Sequence, residues 1–204
     1  MLKHLLIGLI IGYLTGCSLL PEQGPAPKQL QLQPLSSSTQ TQPASSNQSV
    51  NMILERPLAP AALMSRSLWY QAQAYELMPF RDHLWTQPLP DQLQQRLEAY
   101  LVDQQSGWSI QRDQPGNASG FRLRIHLYDW YLDVERQSLY VNLQVFLLDN
   151  QGQVRRQWRW QEEEPLLDNS APELVNAGQK WLQRWAQALA ENLEIFFRQE
   201  ADPN

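Results

Sequence analysis

The chain has 204 residues, with 16 basic and 21 acidic side chains and a formal net charge of −5. No basic cluster occurs, which argues against a nucleic-acid binder. A single cysteine excludes an internal disulfide, and the length suits one domain with a proper core.

Residues 5–14 form an apolar run ten residues long. A bilayer span takes about 20 apolar residues, so this run is too short to cross. Lys3 and His4 precede it and small residues follow it, the parts of a secretory signal. The sequence Leu14-Thr15-Gly16-Cys17 resembles the lipobox of bacterial lipoproteins. That resemblance implies cleavage before Cys17, a diacylglycerol on its sulfur and a fatty acid such as palmitate on its new amino group. Residues 1–16 are then a signal peptide and residues 17–27 a lipidated tether. Several acyl chains make a durable anchor where one would not. Ser18, being non-acidic, implies the outer membrane by the same resemblance, with the domain on its periplasmic face.

Residues 21–27 and 34–49 are rich in Pro, Ser and Gln and lack apolar periodicity, so both read as loops. Between them, KQLQLQ alternates Leu30 and Leu32 with glutamine, a short strand signal. If that strand joins the fold, the domain spans residues 28–200, with 201–204 fraying. Ten extended tether residues then reach at most about 35 Å.

From Val50 onward the pattern is mixed. VNMILERP predicts a strand stopped by Pro57, and SRSLWYQAQAYEL predicts one further strand over residues 65–77. LPDQLQQRLEAYLVDQQSG predicts a helix that Pro90 opens and Gly107 ends, with Leu93, Leu97, Tyr100 and Leu101 as its apolar stripe. WSIQRD is a short strand before a loop at residues 114–120. In FRLRIHLYDWYLDV, Phe121, Leu123, Ile125 and Leu127 share a face, and then Tyr128, Trp130, Leu132 and Val134 take over. That change of phase demands a bulge near residues 127–129. SLYVNLQVFLLD turns Val141, Leu143, Val145 and Leu147 inward. VRRQWRWQEE sets Trp158 and Trp160 against Arg155, Gln157 and Arg159. The last element, from Ala171, is a long helix with Leu174, Trp181, Trp185, Leu189 and Phe196 at helical spacing. Gly178 lies on the same face, where a small residue permits close approach to a sheet. The expected fold is an α+β single two-layer domain, a mainly antiparallel sheet with two helices packed on one face.

The stretch SRSLWYQAQAYELMPFRDHLWTQPLPDQLQQRLEAYL resembles the ABC-type transport auxiliary lipoprotein family. The shared features are Trp69-Tyr70, Tyr75, Trp85, Pro88 with Pro90, and the spaced Leu93, Leu97 and Leu101. LDNQG between two strands and the long final helix are also similar. The loop at residues 34–49 is long for the family, and KQLQLQ lacks its usual opening aromatic. The resemblance implies an accessory docking component of a mammalian-cell-entry (MCE) type or ABC-type lipid transport system between the two membranes. It implies MCE or ABC transporter components as partners and admits a homo-oligomer.

No catalytic constellation accompanies this pattern. His83 and His126 are the histidines left after the signal, and His126 shares a polar strand face with Arg124 and Tyr128. There is no Gly-x-Ser-x-Gly elbow, no His-Glu-x-x-His and no phosphate-binding Gly-rich loop. The expectation is a protein without enzymatic activity, cofactor or metal. Glu162, Glu163 and Glu164 read as a solvated strand end rather than a cation site. Asn117-Ala-Ser119 reads as loop. Trp158, Trp160, Trp181 and Trp185 read as core. Trp130 and Tyr131 are neighbours that must point to opposite faces, and Trp85 precedes Pro88 in an expected loop. Trp85, Trp130 and Tyr131 are therefore the candidate partner or lipid contacts. The rival expectation is a stand-alone lipid- or glycan-binding lipoprotein with a tryptophan groove.

Overall fold

The computed structural model describes residues 25–36, 50–104, 108–114 and 120–201. Cys17, Gly107, the Asn117-Ala-Ser119 triplet and residues 202–204 lie outside the described residues.

Eight strands and two helices follow in chain order. They are β1 (Lys28–Leu30), β2 (Val50–Leu54), β3 (Ser67–Gln73), β4 (Glu76–Trp85), α1 (Leu89–Asp103), β5 (Trp108–Arg112), β6 (Phe121–Asp133), β7 (Ser138–Leu148), β8 (Val154–Pro165) and α2 (Ala171–Ala201). The α+β class holds. The centre of the sheet is β6, whose alternating Leu123, Ile125 and Leu127 are buried. It pairs antiparallel with β7 along its whole length, and β7 pairs antiparallel with β8.

The predicted bulge is present. Leu127 faces Leu143 and Asp129 faces Asn142, so Tyr128 is the extra residue. After it, Trp130 and Leu132 return to the core, while Tyr128 itself stays on the outer face. Tyr128 thus belongs to the polar face and not to the inward set of the sequence pattern.

The sheet is mixed: its long pairings, β6 with β7 and β7 with β8, are antiparallel as expected, and shorter parallel pairings join them. The second edge of β6 is shared by two shorter strands, both parallel to it: β2 beside its start and β3 beside its end. The link between them does not turn back. It continues along β6, making a single bridge from Leu58 to His126. Two further parallel pairs, β2 with β5 and β1 with β4, complete the sheet.

One strand was not foreseen. The stretch read as one strand over 65–77 is two, β3 and β4, joined at Ala74-Tyr75 in an antiparallel hairpin. Tyr75 takes a φ of 68°, a turn conformation usually left to glycine or asparagine.

Strand β1 belongs to the sheet, pairing with residues 83–85 of β4. Its continuation is clamped by α1. The Leu32 N–H donates to Gln92 Oε1 at 2.9 Å, and Arg96 Nε donates to the Leu32 carbonyl at 3.0 Å. Leu32 is fully buried.

Helix α1 buries Leu89, Leu93, Leu97, Tyr100 and Leu101, as its stripe requires, and ends at Asp103 with Gln104 as cap. Helix α2 is capped by Ser170, whose Oγ accepts the Glu173 N–H at 3.3 Å. Its apolar face lies on β7 and β8, and both helices share one core with the inner face of the sheet.

Candidate docking surface

The two faces of the sheet have different chemistry, and the expected contact residues divide between them. Trp130 is 2% exposed and crosses Trp181 edge-to-face, with ring centroids 5.5 Å apart. Trp85 is likewise 2% exposed. It closes β4 instead of lying in a loop, and its backbone N–H donates to the Arg66 carbonyl at 2.7 Å. Neither is a surface contact. Alternation sends Trp130 inward, and the unforeseen strand carries Trp85 under α1. Tyr131, as Trp130's neighbour, takes the outer face.

The other tryptophans line the core side as expected. Trp181 stacks on Trp185 at 5.5 Å, and Trp160 meets Trp185 edge-on at 6.0 Å. The three glutamates are tied down. Glu162 accepts the Trp181 Nε1–H at 2.8 Å, Glu163 accepts from Arg136 and Glu164 from Arg184. They form a clasp between β8, α2 and the β6–β7 turn rather than a free solvated end. Among the described residues no cluster of His, Cys, Asp and Glu has the grouping of a metal site.

The outer face of β6 and β7 carries Arg122, Arg124, His126, Tyr128, Tyr131, Tyr140 and Phe146. Among the described residues no helix packs on it. At one end, Glu55 holds two arginines. Arg122 Nε donates to Oε1 at 2.6 Å and Arg124 Nε to Oε2 at 2.7 Å, while Arg122 also reaches Asp113 at 2.8 Å. Burial alone would push the Glu55 carboxyl up. The hydrogen bonds and charges of Arg124 and Arg122 outweigh it and hold the group below its usual range.

Next along the strand, His126 lies 5.1 Å from the Phe146 ring and 6.2 Å from Tyr128. Its Nε2 is buried without a hydrogen-bond partner. Burial and then the Arg124 charge lower its pKa, so the ring is held neutral. Beyond the bulge, Tyr131 lies 5.2 Å from Tyr140. Burial, then the charge of Asp129, pushes its hydroxyl up to about 12.

This face is a strip of neighbouring aromatic rings bordered by paired charge, suited to contact with another macromolecule. Sequence reasoning names Tyr131 as a contact, sets Tyr128 on the polar face without making it one, and misses Phe146. The phase change at the bulge was the available signal for Tyr128. A separate open cavity of about 520 Å³ lies at the start of β2 and β6, lined by Val50, Asn51, Phe121, Asp149, Asn150 and Arg155. Its largely polar wall does not suit an acyl chain.

The model of the ABC-type transport auxiliary lipoprotein component matches residues 30–190. The chain belongs to this family of lipoproteins. No curated protein matches the chain. Two solved structures share the fold of this transport auxiliary lipoprotein. A Xanthomonas campestris protein of family DUF330 is 16% identical with a TM-score of 0.71, over 87% of this chain and 99% of that one. The crystal structure of an uncharacterized protein is 18% identical with a TM-score of 0.67, over 83% and 99%.

Proposed function

We propose that this transport auxiliary lipoprotein is a non-catalytic docking component of an MCE-type intermembrane lipid transport system, anchored by Cys17 to the periplasmic leaflet of the outer membrane. The observation that carries the reading is family membership over residues 30–190. The lipobox at residues 14–17 and the non-acidic Ser18 support the place of the anchor. The outer sheet face supports the docking role, since Tyr128, Tyr131 and Phe146 offer ring area at low entropic cost. A transporter subunit of the opposing membrane is the partner that such an accessory serves.

The test is co-purification of the tagged full chain from membranes in mild detergent, with partners and lipids identified by mass spectrometry. Recovery of an MCE or ABC transport component, lost in the Tyr128→Ser and Phe146→Ser double variant, is expected. Recovery of the lipoprotein alone, even after crosslinking, overturns the reading.

A further inference from the structure

The most exposed aromatic of the described chain stands beyond the end of the outer face of β6, where Ala74 and Tyr131 line one small cavity. Tyr75, at the tip of the β3–β4 hairpin, is 102% exposed, and Leu77 beside it is 43% exposed. The tip is closed by pairing of Gln73 with Glu76, and Tyr75 sits in it at a φ of 68°. A bulky side chain with positive φ is uncommon, because glycine or asparagine fills such a position without strain. Nothing in the fold repays this choice. The ring is packed on no part of the domain, and the backbone is less comfortable for it. Strain at a residue that folding does not use points to a role outside the fold.

The direction of the tether says what that role is. Strand β1 runs parallel to β4, with Lys28 opposite His83. The chain preceding Lys28 therefore leaves the sheet toward the start of β4, which is the hairpin tip. His83 and Glu76 are seven strand residues apart, about 23 Å. The ten residues between Cys17 and Lys28 reach at most about 35 Å. A lipid on Cys17 therefore holds the membrane within about 12 Å of the tip when the tether lies along the hairpin. Residues 67–80 carry one charge, that of Glu76. The hairpin's own tip, ending in tyrosine and leucine, has the composition of a membrane-interface anchor, and the charged neighbours beside it, Asp133, Glu135 and Arg136, are acidic on balance and do not seek anionic lipid.

We infer that Tyr75 and Leu77 rest in the headgroup region of the membrane that holds Cys17, so that the hairpin is a second contact with the bilayer and fixes the domain's orientation. This rests on the reading that Cys17 carries the anchor. The cavity at the start of β6 and the β7–β8 turn then point away from that membrane. The contact is with the lipid interface as such, and adding phosphatidylglycerol to a zwitterionic vesicle leaves it unchanged.

The test uses the full lipidated chain reconstituted into phosphatidylcholine and phosphatidylethanolamine vesicles, after intact mass has established acylation. Acylation blocks Cys17, so the thiol of L77C is the one site for an environment-sensitive fluorophore, and V154C at the opposite end of the sheet is the control. Expected is quenching by doxyl-labelled lipid roughly threefold stronger at position 77 than at 154, falling toward the control when Tyr75→Ser is added. Equal quenching at both positions in acylated protein overturns the inference and leaves the anchor reading standing. Unacylated protein overturns both. A position-77 label that is shielded only by a partner protein, and never by lipid, also overturns it, in favour of a protein contact.

Discussion

A Cβ atom on Gly178 of α2 would lie 2.6 Å from Cζ2 of Trp130 on β6, closer than real contacts allow. The indole is buried and held edge-on by Trp181. The glycine thus sets the distance of the long helix from the sheet. Gly178→Ala gains about 1 kcal/mol of helix propensity but forces a ring that has no room to move, at about 1–3 kcal/mol. The expected net loss is at most about 2 kcal/mol, a fall in Tm of up to roughly 8 °C. Trp130→Phe removes the offending atom, so the double variant is expected to lose less than the two single losses together. A thermal-denaturation double-mutant cycle reads this directly, and additive losses count against the close approach.

The Gly178 contact was legible in the helical stripe, and so was much of the frame around it. Strands β6, β7 and β8 are long and half-buried, so alternation sorted Val141, Leu143 and Val145 from their polar neighbours. The phase change even located the bulge. The pattern does not say which residue is extra, and so Tyr128 falls in both the polar set with His126 and the inward set with Trp130. Strand β4 escaped because Pro79 and the polar run Arg81-Asp82-His83 interrupt its alternation, and because Ala74-Tyr75 lacks the glycine or asparagine that marks a hairpin. Trp85 was misplaced for that reason alone. The parallel placement of β2 and β3 is a property of the path of residues 55–66 along β6, which no local composition encodes. The docking face was half legible: Tyr131 followed from alternation with Trp130, while Phe146 needed the β6–β7 register.

Acid should unfold the protein from the outer face inward. The folded pKa of His126 lies below its ordinary value of 6.5 and that of Glu55 below its ordinary 4.5. For both groups the unfolded chain takes up protons first. Their contributions are therefore complete above the unfolded pKa and are lost as pH falls through the interval down to the folded one. Urea midpoints measured from pH 7.5 downward should decline in two stages, beginning below about 6.5 and steepening below about 4.5. His126→Gln is expected to remove the first stage and Glu55→Gln to flatten the second. An unchanged slope in Glu55→Gln would falsify the role given to the arginine pair.

Tyr131 supplies the alkaline counterpart. Its folded pKa is raised to about 12 from the ordinary 10.0. The folded state favours the neutral phenol, so its contribution is full below pH 10 and is lost as pH rises from there toward 12. In a spectrophotometric titration at constant native circular dichroism, Tyr131→Phe is expected to delete a late-ionising tyrosine. It should also weaken the decline in stability above pH 10. If it deletes an ordinary phenol titrating near 10, the ring is more exposed than its packing on Tyr140 implies.

Four side chains hold the segment after β1 to the helices, Gln92 and Arg96 at Leu32, Gln179 at Gln33 and Gln183 at Ser36, and Gln92 is the buried one. Gln92 is buried, accepts the Leu32 N–H through Oε1 and donates through Nε2 to the Gln87 carbonyl at 2.8 Å. Gln92→Leu keeps the volume but strands both backbone groups. The cost of a buried unsatisfied group is about 1–3 kcal/mol each. Because β1 has only three residues paired to β4, the release should be local. Amide exchange in residues 28–36 is expected to quicken by at least about tenfold while β6 and β7 keep their protection. The consequence reaches function through geometry. Freed to residue 36, the tether grows by nine residues, and the domain can stand off by roughly 30 Å more. If exchange quickens equally across the sheet, Gln92 supports the whole core and is not the latch on tether length.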